Sequence, residues 1–137
     1  MKQISPIHHI NKPIEEVFDT ISNITLFAEH HPLMRKAECV GENKYVMYEN
    51  MKLFQGVMIP FSYNAEITQL EKNRKVEIVA KPNFLMSILL SFSFIELKGK
   101  TEVRELVTVK GPWPFSTILI NLIRTTHLQL IESIRKS

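Results

Sequence analysis

Phe115-Ser116-Thr117-Ile118-Leu119-Ile120-Asn121-Leu122-Ile123-Arg124-Thr125-Thr126-His127-Leu128-Gln129-Leu130-Ile131-Glu132-Ser133-Ile134 is the stretch from which the rest of the chain is read. Phe115, Ile118, Leu119, Leu122, Ile123, Thr126, Leu130, Ile131 and Ile134 recur at spacings of three and four, with Asn121, Arg124, Gln129 and Glu132 between them. That is the period of an amphipathic helix with a wide apolar stripe. Gly111-Pro112-Trp113-Pro114, just ahead of it, is turn chemistry. A helix of some twenty residues is about 30 Å long, so its stripe needs an equally long apolar surface to rest on. The preceding chain reads mostly as strands, which predicts a curved antiparallel sheet. A long straight helix on a curved sheet leaves a gap where the two diverge, and that gap is the expected seat of function.

Working back from the helix, Thr101, Val103, Glu105, Val107 and Val109 share one face of a last strand, and Lys98-Gly99-Lys100 is a tight turn before it. Leu89 to Leu97 is a strand with Phe92 and Phe94 on one face. Val76, Ile78 and Ala80 alternate as far as Pro82-Asn83. Ile59, Phe61, Tyr63, Ala65 and Ile67 alternate with Pro60, Ser62, Asn64, Glu66 and Thr68. Lys44 to Phe54 and Ala37 to Gly41 complete the six strands of this run. Ahead of them, Ile24 to His30 is a short helix stopped by Pro32. Ile14, Val17, Phe18 and Ile21 make another, with Pro13, Glu15 and Glu16 in its first turn, where proline and carboxylates are favoured. A first strand covers residues 3 to 10. The expected fold is α+β, a seven-stranded curved antiparallel sheet in the order β-α-α-β6-α around the long C-terminal helix, in one domain over residues 1–137.

Composition narrows the function classes. Seventeen basic and fourteen acidic residues leave a net charge of +3, and the basic residues are interspersed with acidic ones. No basic stripe with interleaved aromatics is present, which argues against nucleic acid. Cys39 is the sole cysteine, so no internal disulfide forms, as suits a reducing compartment. The N-terminus has no signal-peptide core, and the most apolar run, Phe84 to Ile95, is too short for a membrane-spanning helix. A cytoplasmic protein is expected.

Ile10-Asn11-Lys12-Pro13-Ile14-Glu15-Glu16-Val17-Phe18-Asp19-Thr20-Ile21-Ser22-Asn23 resembles the opening strand and helix of the START-like superfamily, also called SRPBCC or helix-grip, which includes polyketide cyclases and the birch pollen allergen family. Gly99-Lys100-Thr101-Glu102-Val103 is similar to the hairpin before that family's last strand, and the order of elements matches over nearly the whole chain. The sequence departs from the pattern at His30-His31-Pro32, which lacks the usual neighbouring tryptophan, and in having Gly99 without a glycine run. The resemblance implies a cavity between sheet and C-terminal helix that binds a hydrophobic small molecule or lipid. A second reading is a cyclase- or dehydratase-type enzyme acting on a hydrophobic, polyketide-like substrate. A third is an interaction module.

Glu105, in register with three valines, is the leading acid–base candidate: a carboxylate aimed into a cavity has a pKa set by its surroundings and could exchange protons or hold a ligand. Its plain alternative is a strand-edge glutamate reaching solvent. Tyr63 or His30 would assist it. Glu49 lies between Met47 and Met51, but Val46, Tyr48 and Phe54 make the opposite face apolar too, so sequence leaves the inward face of that strand open. The expected ligand wall is Phe27, His30, Met47, Glu49, Met51, Phe61, Tyr63, Ile78, Phe92, Phe94, Val103, Glu105, Leu119, Leu122, Ile123 and Thr126. Neither His8-His9 nor His30-His31 has metal-site spacing, so no metal or cofactor is expected. His127 falls at the edge of the final stripe and reads as interfacial. Phe84 to Leu90 is unusually apolar for a connection. Either the strand starts early and buries it, or it is a lid that closes the pocket, touches a membrane transiently or pairs two subunits.

Overall fold

The computed structural model describes residues 1–52 and 56–137, the side chains of Met51 and Lys52 excepted. The elements are β1 (Lys2–Ile4), β2 (Ile7–Ile10), α1 (Ile14–Ser22), α2 (Ile24–His30), β3 (Met34–Gly41), β4 (Lys44–Lys52), β5 (Met58–Glu71), β6 (Lys75–Asn83), β7 (Met86–Leu97), β8 (Lys100–Lys110) and α3 (Phe115–Lys136). The strands form one 8-stranded antiparallel sheet in the order β1-β8-β7-β6-β5-β4-β3, with β2 also on β8. The single first strand expected over residues 3–10 is divided at Ser5-Pro6, which accounts for eight strands where seven were read. Proline has no N–H for the ladder. Both halves keep β8 as partner, Ile4 opposite Val107 and Ile7 opposite Arg104.

Local chemistry sets the helix boundaries. Asn23 ends α1 and caps α2, its side-chain oxygen accepting from the N–H groups of Thr25 at 3.0 Å and Leu26 at 3.3 Å. The stripe Ile14, Val17, Phe18 and Ile21 is buried, and Phe18 meets Phe94 edge-on at 5.2 Å. On the sheet, alternation decides what turns inward. Val103, Val107 and Val109 of β8, Phe92 and Phe94 of β7, and Val76, Ile78 and Ala80 of β6 are all buried. In β4 the odd residues face inward: Met47 is 2% exposed. This resolves the ambiguity that two apolar faces left. Met51 as an expected wall residue, and Phe54 as the expected strand end, lie outside the described residues and side chains.

At 22 residues, α3 is about 33 Å long. Its C-terminal half is core, with Leu130, Ile131 and Ile134 at most 1% exposed. The helix packs on β1, β2, β8 and α2. Its N-terminal half stands away from β4, β5 and β6, where Leu119 and Leu122 are half-buried and Phe115 and Ile118 exposed.

Phe84 to Leu90 is not a lid. β7 begins at Met86, three residues earlier than read, and Ile88 and Leu90 point into the core. Phe84 and Leu85 form the β6–β7 turn, fixed by the Asn83 side chain accepting from the Leu85 N–H at 2.8 Å, and these two are exposed. Among the described residues no helix is long and apolar enough to cross a membrane.

The two halves of α3 should respond differently to truncation. Leu130→Ala is expected to cost about 2–5 kcal/mol, as for a fully packed core leucine. Leu122→Ala, which enlarges a space already present, is expected to cost clearly less. Denaturant unfolding of both variants measures this, and equal losses would overturn the division of the helix.

Candidate functional site

Where α3 and the sheet diverge, a cavity of about 410 Å³ opens. Its floor is the inner face of β4 to β7, from Met47, Phe61 and Ala65 through Ile78 and Ala80 to Ile88 and Leu90. Its roof is the cavity side of α3, with Leu119, Leu122, Ile123 and Thr126. Phe27, His31, Leu33 and Met34 close the end beneath α2. Phe115, Ile118, Pro82, Asn83 and Met86 line it towards the β6–β7 turn.

Within this apolar wall a few polar groups converge. Glu49 and Tyr63 belong to neighbouring strands in which Met47 pairs with Tyr63, so the carboxylate lies diagonally across the ladder from the phenol. Tyr63 donates its hydroxyl proton to Glu49 Oε2. His127 enters from α3. Its Nδ1 bonds Oε2 of Glu105, which stands on β8 behind the cavity wall. His8 of β2 comes within 3.6 Å of the other Glu105 oxygen, and neither of those two atoms has a hydrogen-bond partner among the described residues. Glu105 is 2% exposed and His127 4%. Phe92 stacks on the His127 ring at 6.3 Å, and Phe27 meets its edge at 6.3 Å. His31 stands perpendicular to His127, ring centres 6.1 Å apart, and its Nδ1 accepts from the Leu33 N–H at 3.2 Å.

No known family model matches the sequence, and no curated protein is similar to it in sequence. Solved structures are similar in architecture. A conserved protein from Geobacillus kaustophilus superposes with a TM-score of 0.80 at 11% identity, over 98% of this chain and 93% of that one. A START superfamily protein from Mycobacterium smegmatis gives 0.79 at 11%, over 98% and 94%. The protein Ara h 8.0201 gives 0.76 at 10%, over 98% and 95%. This chain has the START-like, helix-grip fold. Identities this low speak for the fold and not for a shared ligand.

In this helix-grip frame, Phe27, Met47, Glu49, Phe61, Tyr63, Ile78, Leu119, Leu122, Ile123 and Thr126 stand on the cavity wall. Five expected wall residues do not. Phe92, Phe94 and Val103 face inward but lie where α1 and the buried half of α3 cover the sheet, so they are core. His30 points away, its Nδ1 paired with the Ser133 hydroxyl at 2.8 Å, and it is the next residue, His31, that faces the cavity. Glu105 is turned inward as its register required, yet it meets the cavity through His127 and not directly. His127 itself is a wall residue and not merely interfacial. It lies four residues after Ile123 and three before Leu130, a spacing that puts it on the buried face. His8 turns inward and His9 outward, as alternation demands. Among the described residues no cluster has the makings of a metal site.

Burial dominates the electrostatics. It raises the Glu49 carboxyl, an effect that the Tyr63 hydrogen bond and the nearby His127 oppose. Burial and Glu49 together carry the Tyr63 hydroxyl well above its usual range. Burial would raise Glu105 too, but the charge and hydrogen bond of His127, with the nearby His8 adding to them, outweigh it and hold the carboxyl at about 2. Burial, and after it His127, lowers His31 to about 3.

The His31 shift fixes a pH dependence. As pH falls below the ordinary value of 6.5, the unfolded chain takes up the proton and the folded one does not until about 3. The stability attached to neutral His31 is therefore complete above 6.5 and declines between 6.5 and about 3, at up to about 1.4 kcal/mol per pH unit. Glu105 adds a loss of the same sign between 4.5 and about 2, whereas Glu49, being raised, acts in the opposite sense. His31→Asn keeps an acceptor for the Leu33 N–H but does not titrate. Its stability, followed by urea unfolding from pH 7 to 4.5, should fall less steeply than that of the parent. Parallel curves would refute the burial of a neutral His31.

Proposed function

We propose that this protein binds one hydrophobic small molecule or single-chain lipid between the sheet and α3, with the ligand's polar group set against Glu49, Tyr63, His31 and His127. The observation that carries this reading is the cavity itself. At about 410 Å³ it falls in the lower part of the range of roughly 300–1,000 Å³ usual for small-molecule sites. Its wall is mostly aliphatic and aromatic, with few polar groups, and those converge. An apolar wall favours a ligand that brings little polar surface, because any polar atom left without a partner there costs about 1–3 kcal/mol. Met34, Met47 and Met86 add side chains that adapt to the shape of an occupant.

The rim favours loading from an apolar source. Phe84, Leu85, Trp113, Phe115 and Ile118 are each at least 59% exposed. The β6–β7 turn and the loop before α3 are adjacent, since a Cβ on Gly111 would meet Met86 at 2.9 Å and the Leu85 carbonyl at 3.5 Å. An exposed aromatic cluster beside a cavity mouth suits brief contact with a lipid surface. In this reading Phe84 and Leu85, and not the whole 84–90 segment, make that contact. Sedimentation with phosphatidylcholine vesicles should retain the parent protein and release a Phe84→Ser/Trp113→Ser variant. Equal retention would remove the membrane from the proposal and leave the cavity reading intact.

Native mass spectrometry of freshly purified protein, with extraction of any bound mass, tests the cavity reading. So does titration with the fluorescent apolar probe 1-anilinonaphthalene-8-sulfonate. One site is expected. Leu119→Trp/Leu122→Trp, which fills the space from the helix side, should weaken probe binding at least tenfold while leaving the circular dichroism spectrum unchanged. A filled variant that binds as tightly as the parent would overturn it.

A further inference from the structure

His31 and His127 meet in the cavity wall with complementary proton positions. The His31 Nδ1 accepts the Leu33 N–H, so the proton of the neutral ring sits on Nε2 as a donor. The His127 Nδ1 faces an ionised carboxylate, which only accepts, so that nitrogen carries a proton and Nε2 is left as the ring atom that gains or loses one. The rings are 6.1 Å apart and at 86° to each other. His127 is braced by Phe92, Phe27 and Glu105, and Glu105 in turn by His8. A base held by a carboxylate, beside a fixed donor, in an apolar cavity, is the arrangement for moving a proton next to a carbonyl.

We propose that His127 and His31 form a proton-transfer centre that enolises a neutral, apolar ketone in the cavity, with His127 as general base, His31 as oxyanion donor and Glu105 as the positioning residue. The inference rests on the cavity-binding reading above. In the step, His127 Nε2 bonds to the α-hydrogen as its C–H bond breaks. That electron pair becomes the C=C bond of the enolate, and the carbonyl π pair moves to oxygen, where the His31 Nε2–H donates. The imidazolium formed faces the Glu105 carboxylate. The proton on His127 Nε2 exchanges with solvent, and delivery of a proton, or in D2O a deuteron, back to carbon restores the ketone, so nothing is consumed. A ketone suits the site because its one polar atom needs only a donor. The charged and titratable groups about His127 are Glu105 on β8, His8 on β2, His31 on α2, Arg124 on α3 itself, and Glu49 on β4 with its partner Tyr63 on β5.

The test uses the full chain and 2-tetralone in buffered D2O, with loss of the α-hydrogen signals followed by proton NMR and binding followed by saturation transfer. Exchange should exceed the buffer rate by about a hundredfold or more. His127→Gln should return it to the buffer rate, and His31→Asn should lower it at least tenfold. Leu119→Trp/Leu122→Trp, which blocks the cavity and leaves the His127–Glu105 pair in place, should also abolish it, so the outcome does not hang on the folding of the histidine variants. Glu105→Gln should displace the pH profile of exchange while 2-tetralone still binds, and Glu105→Asp should restore part of the rate. A purely structural Glu105 would leave that profile in place. Bound 2-tetralone that exchanges at the buffer rate overturns the proton-transfer centre alone. Failure of 2-tetralone to bind also overturns it, while the anilinonaphthalene titration separately decides whether the cavity reading survives.

Discussion

A carboxylate buried as deeply as that of Glu105 is tolerated only where donors surround it. Its hydrogen bond comes from His127 on α3, and His8 on β2, from the opposite end of the sequence, stands 3.6 Å from its other oxygen. β8, which carries Glu105, is the strand on which both N-terminal segments pair, and the Glu105 N–H itself donates to the Pro6 carbonyl at 3.0 Å. The pairing thus links the N-terminal edge of the sheet to the helix that crosses it. The same helix turn that aims His127 at Glu105 brings its ring into the cavity wall. One electrostatic requirement therefore joins the packing of three elements to the composition of the site.

The cavity follows from a mismatch of shapes. α3 spans about 33 Å, and among the described residues the curved sheet packs on it mainly through β1, β2 and β8. Beyond that region the strands turn away and small inward residues such as Ala65 and Ala80 fail to refill the space. Leu130 and Leu122 lie on one stripe two turns apart, yet one is core and the other half-exposed to a void. The acid–base groups collect at the boundary between these regions. There burial is deep enough to raise Glu49 and Tyr63 and to lower His31, while the wall still reaches a space that a ligand can enter.

The element order, the antiparallel sheet, the amphipathic stripes of α1 and α3 and the inward turn of Glu105 were all legible in the sequence, because each rests on a local period of 2 or 3.6 residues. His127 was legible too in principle, through its spacing from Ile123 and Leu130, although a polar residue on a stripe edge reads first as a boundary. Other features carried no local signal. Which of His30 and His31 turns inward depends on the chain direction after α2. Whether Phe92, Phe94 and Val103 line a cavity or lie in core depends on what packs above them, and their own period is the same in either case. That Met47 and Glu49, and not Val46 and Tyr48, face inward was settled by pairing with β5, where both alternations were apolar. Periodicity along the chain therefore determined the elements and their buried faces, whereas the meeting of Glu105 with His127, His31 with His127 and Glu49 with Tyr63 was decided by the tertiary structure alone, since these contacts join residues on separate elements and no local pattern encodes the distance between them.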